Sequence, residues 1–115
     1  MHEQSLARHI MDIVEQLMRQ NSWQTVTRIT VCLQLPSLVM PELLIEGFDL
    51  LKRDSLFPRA QLAIEKIPMV FCCKDCSGEF AGEKMALSCP RCGSTSLRLA
   101  RKSEIYISSI DYDER

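Results

Sequence analysis

Apolar residues recur every three to four positions through residues 4–20. Leu6, Ile10, Ile13, Val14 and Leu17 form one stripe with Met11 and Met18 on its edge, while Arg8, Asp12, Glu15, Gln16 and Arg19 point away. A helix turns once per about 3.6 residues, so the spacing predicts an amphipathic helix with its stripe in a core. Asn21-Ser22 is the expected stop. The period then drops to two over residues 26–35. Thr27, Ile29, Val31, Leu33 and Leu35 share one face, and Val26, Arg28, Thr30, Cys32 and Gln34 the other. This predicts a strand with one buried face. Cys32, alone there, reads as a small hydrophobe.

Pro36-Ser37 breaks the strand. Pro41 suits the first turn of a second helix, where its missing N–H costs nothing. That helix runs to about residue 53, with Leu44, Phe48 and Leu51 as its stripe, joined by Leu43 and Leu50. Gly47 costs a helix about 1 kcal/mol relative to Ala, which points to a close neighbour. Ala60, Leu62 and Ile64 alternate with Gln61, Ala63 and Glu65 in a second strand, 60–67, ended by Pro68. A third strand covers 104–110, where Tyr106, Ser108 and Ile110 oppose Ile105, Ile107 and Ser109. Residues 111–115 are polar and read as a frayed tail.

The expected order is helix, strand, helix, strand, cysteine-rich stretch, strand. This predicts an α+β fold with two helices packed on a small three-stranded sheet and a zinc-ribbon-like module inserted in it. The expected division is an α+β domain over 1–68 plus 103–115, and a module with its linkers over 69–102.

That module carries the clearest chemistry. It reads C-K-D-C, then twelve residues, then C-P-R-C-G. Each C-x-x-C puts two sulfurs on one tight turn, and two such turns can face each other as a tetrahedral four-sulfur shell. Cys73, Cys76, Cys89 and Cys92 are the expected ligands. Zn(II) is favoured, and iron in a rubredoxin-like site is the alternative, since both accept this geometry. Cys72 offers an alternative C-x-x-x-C turn with Cys76, but Cys73 gives the spacing of Cys89–Cys92. Gly93 tolerates positive φ just after the second pair. Lys74, Lys84 and Arg91 can offset thiolate charge. Large apolar side chains are sparse around these cysteines, so the module needs its metal to fold. A closed shell leaves no open position for a substrate.

Met1-His2-Glu3 is a second candidate. With Met1 retained, the α-amine, the ionised His2 amide and the imidazole can close adjoining chelate rings on one ion, with the Glu3 amide as a further donor. An in-plane nitrogen set suits Ni(II) or Cu(II) better than Zn(II). The plainer reading is a solvated terminal histidine, with Glu3 favouring the helix dipole. His9 is seven positions on, about 10 Å along a helix, too far to share the ion.

The chain has 115 residues, with 46% hydrophobic and 25% charged, as a globular protein does. The net charge is −1, and zinc on four thiolates takes it to roughly −3. That balance, with Phe80 counted as the module's aromatic and Asp75, Glu79 and Glu83 among its cations, argues against a nucleic-acid binder. No apolar run spans a membrane and no signal peptide precedes the helix, so a cytoplasmic location is expected. There is no phosphate-binding loop and no nucleophile–base arrangement, so an enzyme is not expected. A zinc-ribbon adaptor for protein or nucleic acid is the rival class.

The chain resembles the HypA/HybF family of hydrogenase maturation proteins. The likeness runs from M-H-E-Q-S-L at 1–6, through V-x-P-E-L at 39–43, F-D at 48–49 and A-x-L-x-I-E-x-x-P at 60–68, to the two cysteine pairs. It implies a nickel metallochaperone. His2 is implied as the essential nickel ligand, assisted by the Met1 amine and the Glu3 backbone; the four cysteines are implied as structural zinc ligands. Ni(II) is then transient cargo. Implied partners are the nickel-handling GTPase HypB, the large-subunit precursor of a NiFe hydrogenase and, in some members, urease maturation factors. The chain departs from the family at Leu33-Gln34, usually Ile-Gly, and at Pro36, usually Leu, so the turn at 34–37 is its own.

Overall fold

A computed structural model describes residues 3–114. Helix α1, Glu3–Asn21, opens with acidic Glu3 and closes with basic Arg19, both favourable to the helix dipole. Asn21 Nδ2 donates to the Leu17 carbonyl at 2.9 Å, and Ser22 takes φ 56, which ends the helix. Its buried residues are Leu6, Ala7, Ile10, Met11, Val14 and Met18. The expected stripe is therefore rotated. Met11 and Met18 lie in the core, while Ile13 is exposed and Leu17 half-buried. The reason is Ala7, a small residue that hydropathy underweights. A Cβ built on Gly47 of helix α2, Pro41–Leu51, would lie 3.8 Å from the Ala7 Cβ, so the two helices meet there.

Pro41 stands at the start of α2, and Leu44, Gly47 and Phe48 are its buried residues. Leu43 and Leu50 are exposed, contrary to the expected stripe. Those two line an open cleft beside Glu3 and Gln4 of α1. A short 3-10 turn, Lys52–Asp54, follows α2. Strand β1, Trp23–Gln34, starts earlier than its pattern suggested and does not alternate throughout. Val26 and Ile29 are both buried with Thr27 and Arg28 exposed between them, so the phase slips. From Val31 to Gln34 every residue is buried, so both faces are covered. Strand β2 spans Gln61–Ile67, β3 Met69–Cys73, β4 Glu79–Gly82, β5 Leu97–Leu99 and β6 Glu104–Glu114.

One sheet has the order β2-β1-β6, the other β4-β3-β5. The chain leaves the first sheet after β2, builds the second, and returns to pair β6 with β1. The supposed tail is strand as far as Glu114. Tyr112 stacks on Trp23 with ring centroids 4.0 Å apart, and Thr27 Oγ1 donates to the Asp111 carbonyl. These cross-strand contacts are separated widely in sequence, which is why composition alone misread the segment.

The chain divides into two compact units. The first comprises Met1–Cys32, Leu38–Glu65 and Tyr106–Arg115. It contains both helices and most of the buried apolar residues, among them Val26, Ile29, Val31, Phe48, Phe57 and Leu62. The second comprises Leu33–Ser37 and Lys66–Ile105 and contains the four paired cysteines. Its buried apolar side chains are few: Leu33, Met69, Phe71, Cys73 and Cys89.

Gln34, the departure from the family pattern, is a buried polar residue of this second unit. Its Nε2 donates to the carbonyls of Leu35 and Pro68, both at 2.9 Å, and more weakly to Ile67. One amide thus ties the ends of β1 and β2, a task that no glycine could perform. Gln34→Ala should cost about 1–3 kcal/mol, the range for buried acceptors left without their donor. The check is urea unfolding followed through the amide signals of β3. An unchanged midpoint would show that the amide adds nothing there.

Candidate metal centre

The two C-x-x-C turns fold alike, and the reason is local hydrogen bonding. Ser77 N donates to the Cys73 carbonyl at 3.0 Å, and Gly93 N to the Cys89 carbonyl at 2.8 Å. Cys73 N donates to the Gly78 carbonyl at 2.9 Å, and Cys89 N to the Ser94 carbonyl at 2.8 Å. Each turn therefore closes with the same two bonds, at the same offsets. The residue after the second cysteine is left-handed in both, with φ 60 at Ser77 and φ 75 at Gly93. Glycine takes that conformation freely, whereas Ser77 takes it at some cost.

This geometry turns backbone N–H groups toward sulfur and brings four thiols together. The ligand atoms of Cys73, Cys76, Cys89 and Cys92 all lie within 4.8 Å of one another. Cys73 Sγ is 3.6 Å from Cys92 Sγ, and Cys76 Sγ is 3.7 Å from Cys89 Sγ. A tetrahedron with Zn–S bonds of about 2.3 Å has edges of about 3.8 Å, so the sulfurs already stand near ligand spacing. They are far beyond the bond length of about 2.05 Å in a disulfide. Cys73 and Cys89 are buried, Cys76 and Cys92 exposed.

The ionisation tendencies follow the same symmetry. The backbone N–H of Cys76, helped by that of Asp75, lowers the Cys73 thiol to about 7 against the effect of burial. The N–H groups of Cys92 and Arg91 lower Cys89 in the same way. Cys76 and Cys92 also receive an N–H, from Gly78 and Ser94, which favours their thiolates. Neighbouring sulfurs and burial together outweigh it, raising Cys76 and pushing Cys92 up to about 12. The first sulfur of each turn therefore favours charge and the second resists it. Four thiolates this close repel unless a cation lies among them, so metal uptake must drive protons off.

Cys73, not Cys72, belongs to the cluster. Adjacent strand residues point to opposite faces, and Cys72 is instead registered between Glu79 on β4 and Arg98 on β5. Cys32 lies elsewhere, with its Sγ 3.8 Å from Glu65 Oε2. Phe80 is joined in the module by a second aromatic. Phe71 pairs across the sheet with Phe80 and stacks on it at 5.3 Å between centroids. The ring serves as core rather than as an exposed base-stacking platform.

At the other end of the chain, Glu3 is the first residue of α1. Its Oε1 accepts a hydrogen bond from Met40 N at 3.4 Å, at the start of α2. Beside it lies a cleft of about 350 Å³ lined by Glu3, Gln4, Leu43, Glu46, Gly47 and Leu50. His9 is exposed on α1.

The model of the family described as hydrogenase/urease nickel incorporation, metallochaperone, hypA matches residues 1–112. The chain belongs to the HypA family. It is similar to the hydrogenase maturation factor HypA of Aquifex aeolicus, with 27% identity over 98% of each chain. The HypA of Wolinella succinogenes is 31% identical over 98% of this chain and 96% of its own. The solution structure of the Ni metallochaperone HypA from Helicobacter pylori superposes with a TM-score of 0.68 and 23% identity, covering all of both chains. The HypA fold is therefore shared: two helices, two three-stranded sheets and a four-cysteine cluster. Among the described residues no helix is long and apolar enough to cross a membrane. Met1 and His2, which the HypA resemblance marks for nickel, lie outside the described residues.

Proposed function

We propose that this chain is a cytoplasmic nickel carrier that binds Ni(II) through Met1, His2 and Glu3 and hands it on for NiFe hydrogenase maturation. The observation that carries the reading is the family match over residues 1–112, which includes the M-H-E terminus. The chemistry supports it. The first N–H groups of a helix have no carbonyl four residues back, so the Glu3 amide is spare for a metal. The Glu3 carboxylate is engaged at Met40, which leaves the backbone as its natural donor. An open terminal chelate can lose its ligands one at a time, as a carrier requires.

Cys73, Cys76, Cys89 and Cys92 hold Zn(II) in this reading. Zinc supplies cohesion to a module over 69–102. The nickel domain comprises 1–68 and 103–115. The partners are HypB, the hydrogenase large-subunit precursor and urease maturation factors where urease is made. Hydrolysis of GTP belongs to the partner, and the carrier itself is not an enzyme.

The test is metal counting on the untagged chain, with intact mass confirming that Met1 is retained. Titration with Ni(II) should add a single nickel per chain while the zinc stays bound. A chain that takes up no nickel is the zinc-ribbon adaptor instead. Nickel that enters only as zinc leaves would place the cargo on the cysteines and overturn the terminal site.

A further inference from the structure

The two cysteine turns touch each other through more than sulfur. In each turn the residue two places after the first cysteine reaches the residue five places after the first cysteine of the other. Asp75 Oδ2 accepts a hydrogen bond from Ser94 Oγ. In the opposite direction Arg91 lies over Gly78. A Cβ built there would be 3.1 Å from Arg91 Nη1, and 3.3 Å from both Arg91 Cδ and Cys76 Sγ. Gly78 is thus the one partner without a side chain, and the guanidinium takes up that space beside Cys76. The Ser94 hydroxyl is itself held, because it accepts from Ser96 N at 3.1 Å. Lys74 N donates to the Ser96 carbonyl at 2.9 Å, a second tie from the first turn to the same segment.

We infer that Asp75 and Ser94 are positioning residues of the metal centre, and that the bond between them latches the two turns and sets the rate of metal release. The inference rests on the zinc reading given above. A four-sulfur site loses its ion by sequential exchange. Each sulfur would give up its place in turn to a competing donor. Cys76 and Cys92 are the exposed cysteines, so exchange begins there. It completes only when the turns part, since each turn supplies two ligands. The latch opposes that parting.

The experiment is transfer of zinc from the full-length chain to an excess of a colorimetric chelator, timed by absorbance. Ser94→Ala and Asp75→Ala should each release zinc about tenfold faster, the scale of one lost hydrogen bond to a charged group. Ser94→Thr, which keeps the hydroxyl, should release at the wild-type rate. The double variant Asp75→Ala/Ser94→Ala should be little faster than either single one, because both remove the same bond. Each variant keeps all four cysteines, so zinc content at the outset should be unchanged. Wild-type release rates in both single variants, or full additivity in the double, would overturn the latch. An absence of zinc from the wild-type chain would instead overturn the zinc reading. Asp75→Asn keeps an acceptor of similar shape and serves if the alanine variants do not fold. It should release at a rate between wild type and Ser94→Ala, and a rate as fast as Ser94→Ala would assign the effect to charge alone and overturn the latch.

Discussion

Changing His2 to alanine should abolish high-affinity nickel uptake without loss of zinc, and acetylating the Met1 α-amine should do nearly the same. The two variants remove different things. His2→Ala deletes the imidazole and leaves the amine and the backbone amides. The acetyl group leaves every side chain in place and removes the amine as a donor. If the amine, amide and imidazole form fused rings on one ion, each variant opens a ring. Affinity should fall by about 100-fold or more, equivalent to about 2.7 kcal/mol. Isothermal titration with parallel metal counting reads both numbers. Equal affinity in wild type and His2→Ala would remove the terminus from the nickel site. Wild-type affinity in the acetylated chain alone would mean that side chains hold the metal without the amine. Binding should also weaken on acidification. The α-amine has an ordinary pKa of about 7.7–8.0 and must lose its proton to bind, so protons compete increasingly as pH falls.

How the two candidate sites could be read from sequence differs for a physical reason. The cysteine cluster is encoded by local offsets. Residues three apart, followed by Ser77 or Gly93 in a left-handed conformation, close a turn through bonds that reach no further than five residues. Such a pattern survives in one dimension. The core of the first unit is encoded by distant contacts. Ala7 is buried because Gly47 faces it, and Tyr112 is in a strand because β1 and Trp23 are there to receive it. Hydropathy at either position says little, so the α1 stripe was misjudged by part of a turn and β6 was cut short. Gln34 is the intermediate case. Its identity was visible as a departure from the family, yet its purpose depends on Ile67 and Pro68, which a strand and a helix separate from it in sequence.

Removing the zinc should unfold the second unit and spare the first. The buried apolar side chains of the second unit are Leu33, Met69, Phe71, Cys73 and Cys89, and two of those belong to the four-cysteine cluster. Its strands are short, and β5 has only 3 residues. A core of that size does not offset the entropy of ordering its chain. A structural zinc site supplies about 10–16 kcal/mol in small metal-dependent domains at neutral pH, more than such a unit needs. The first unit has α1 and α2 packed on each other and a core that includes Met11, Ile29, Phe48 and Phe57, none of which touches the metal centre by ligation. Cys89→Ser, or exhaustive chelation, should therefore erase the dispersed amide signals of β3, β4 and β5. The helical circular-dichroism signal at about 222 nm should fall little, because both helices belong to the unit that keeps its core. Collapse of the helices together with β3–β5 would show that the two units fold as one. Persistence of β3–β5 without metal would show that the hydrogen-bonded turns and the Phe71–Phe80 pair suffice, and that zinc is bound by a structure already made.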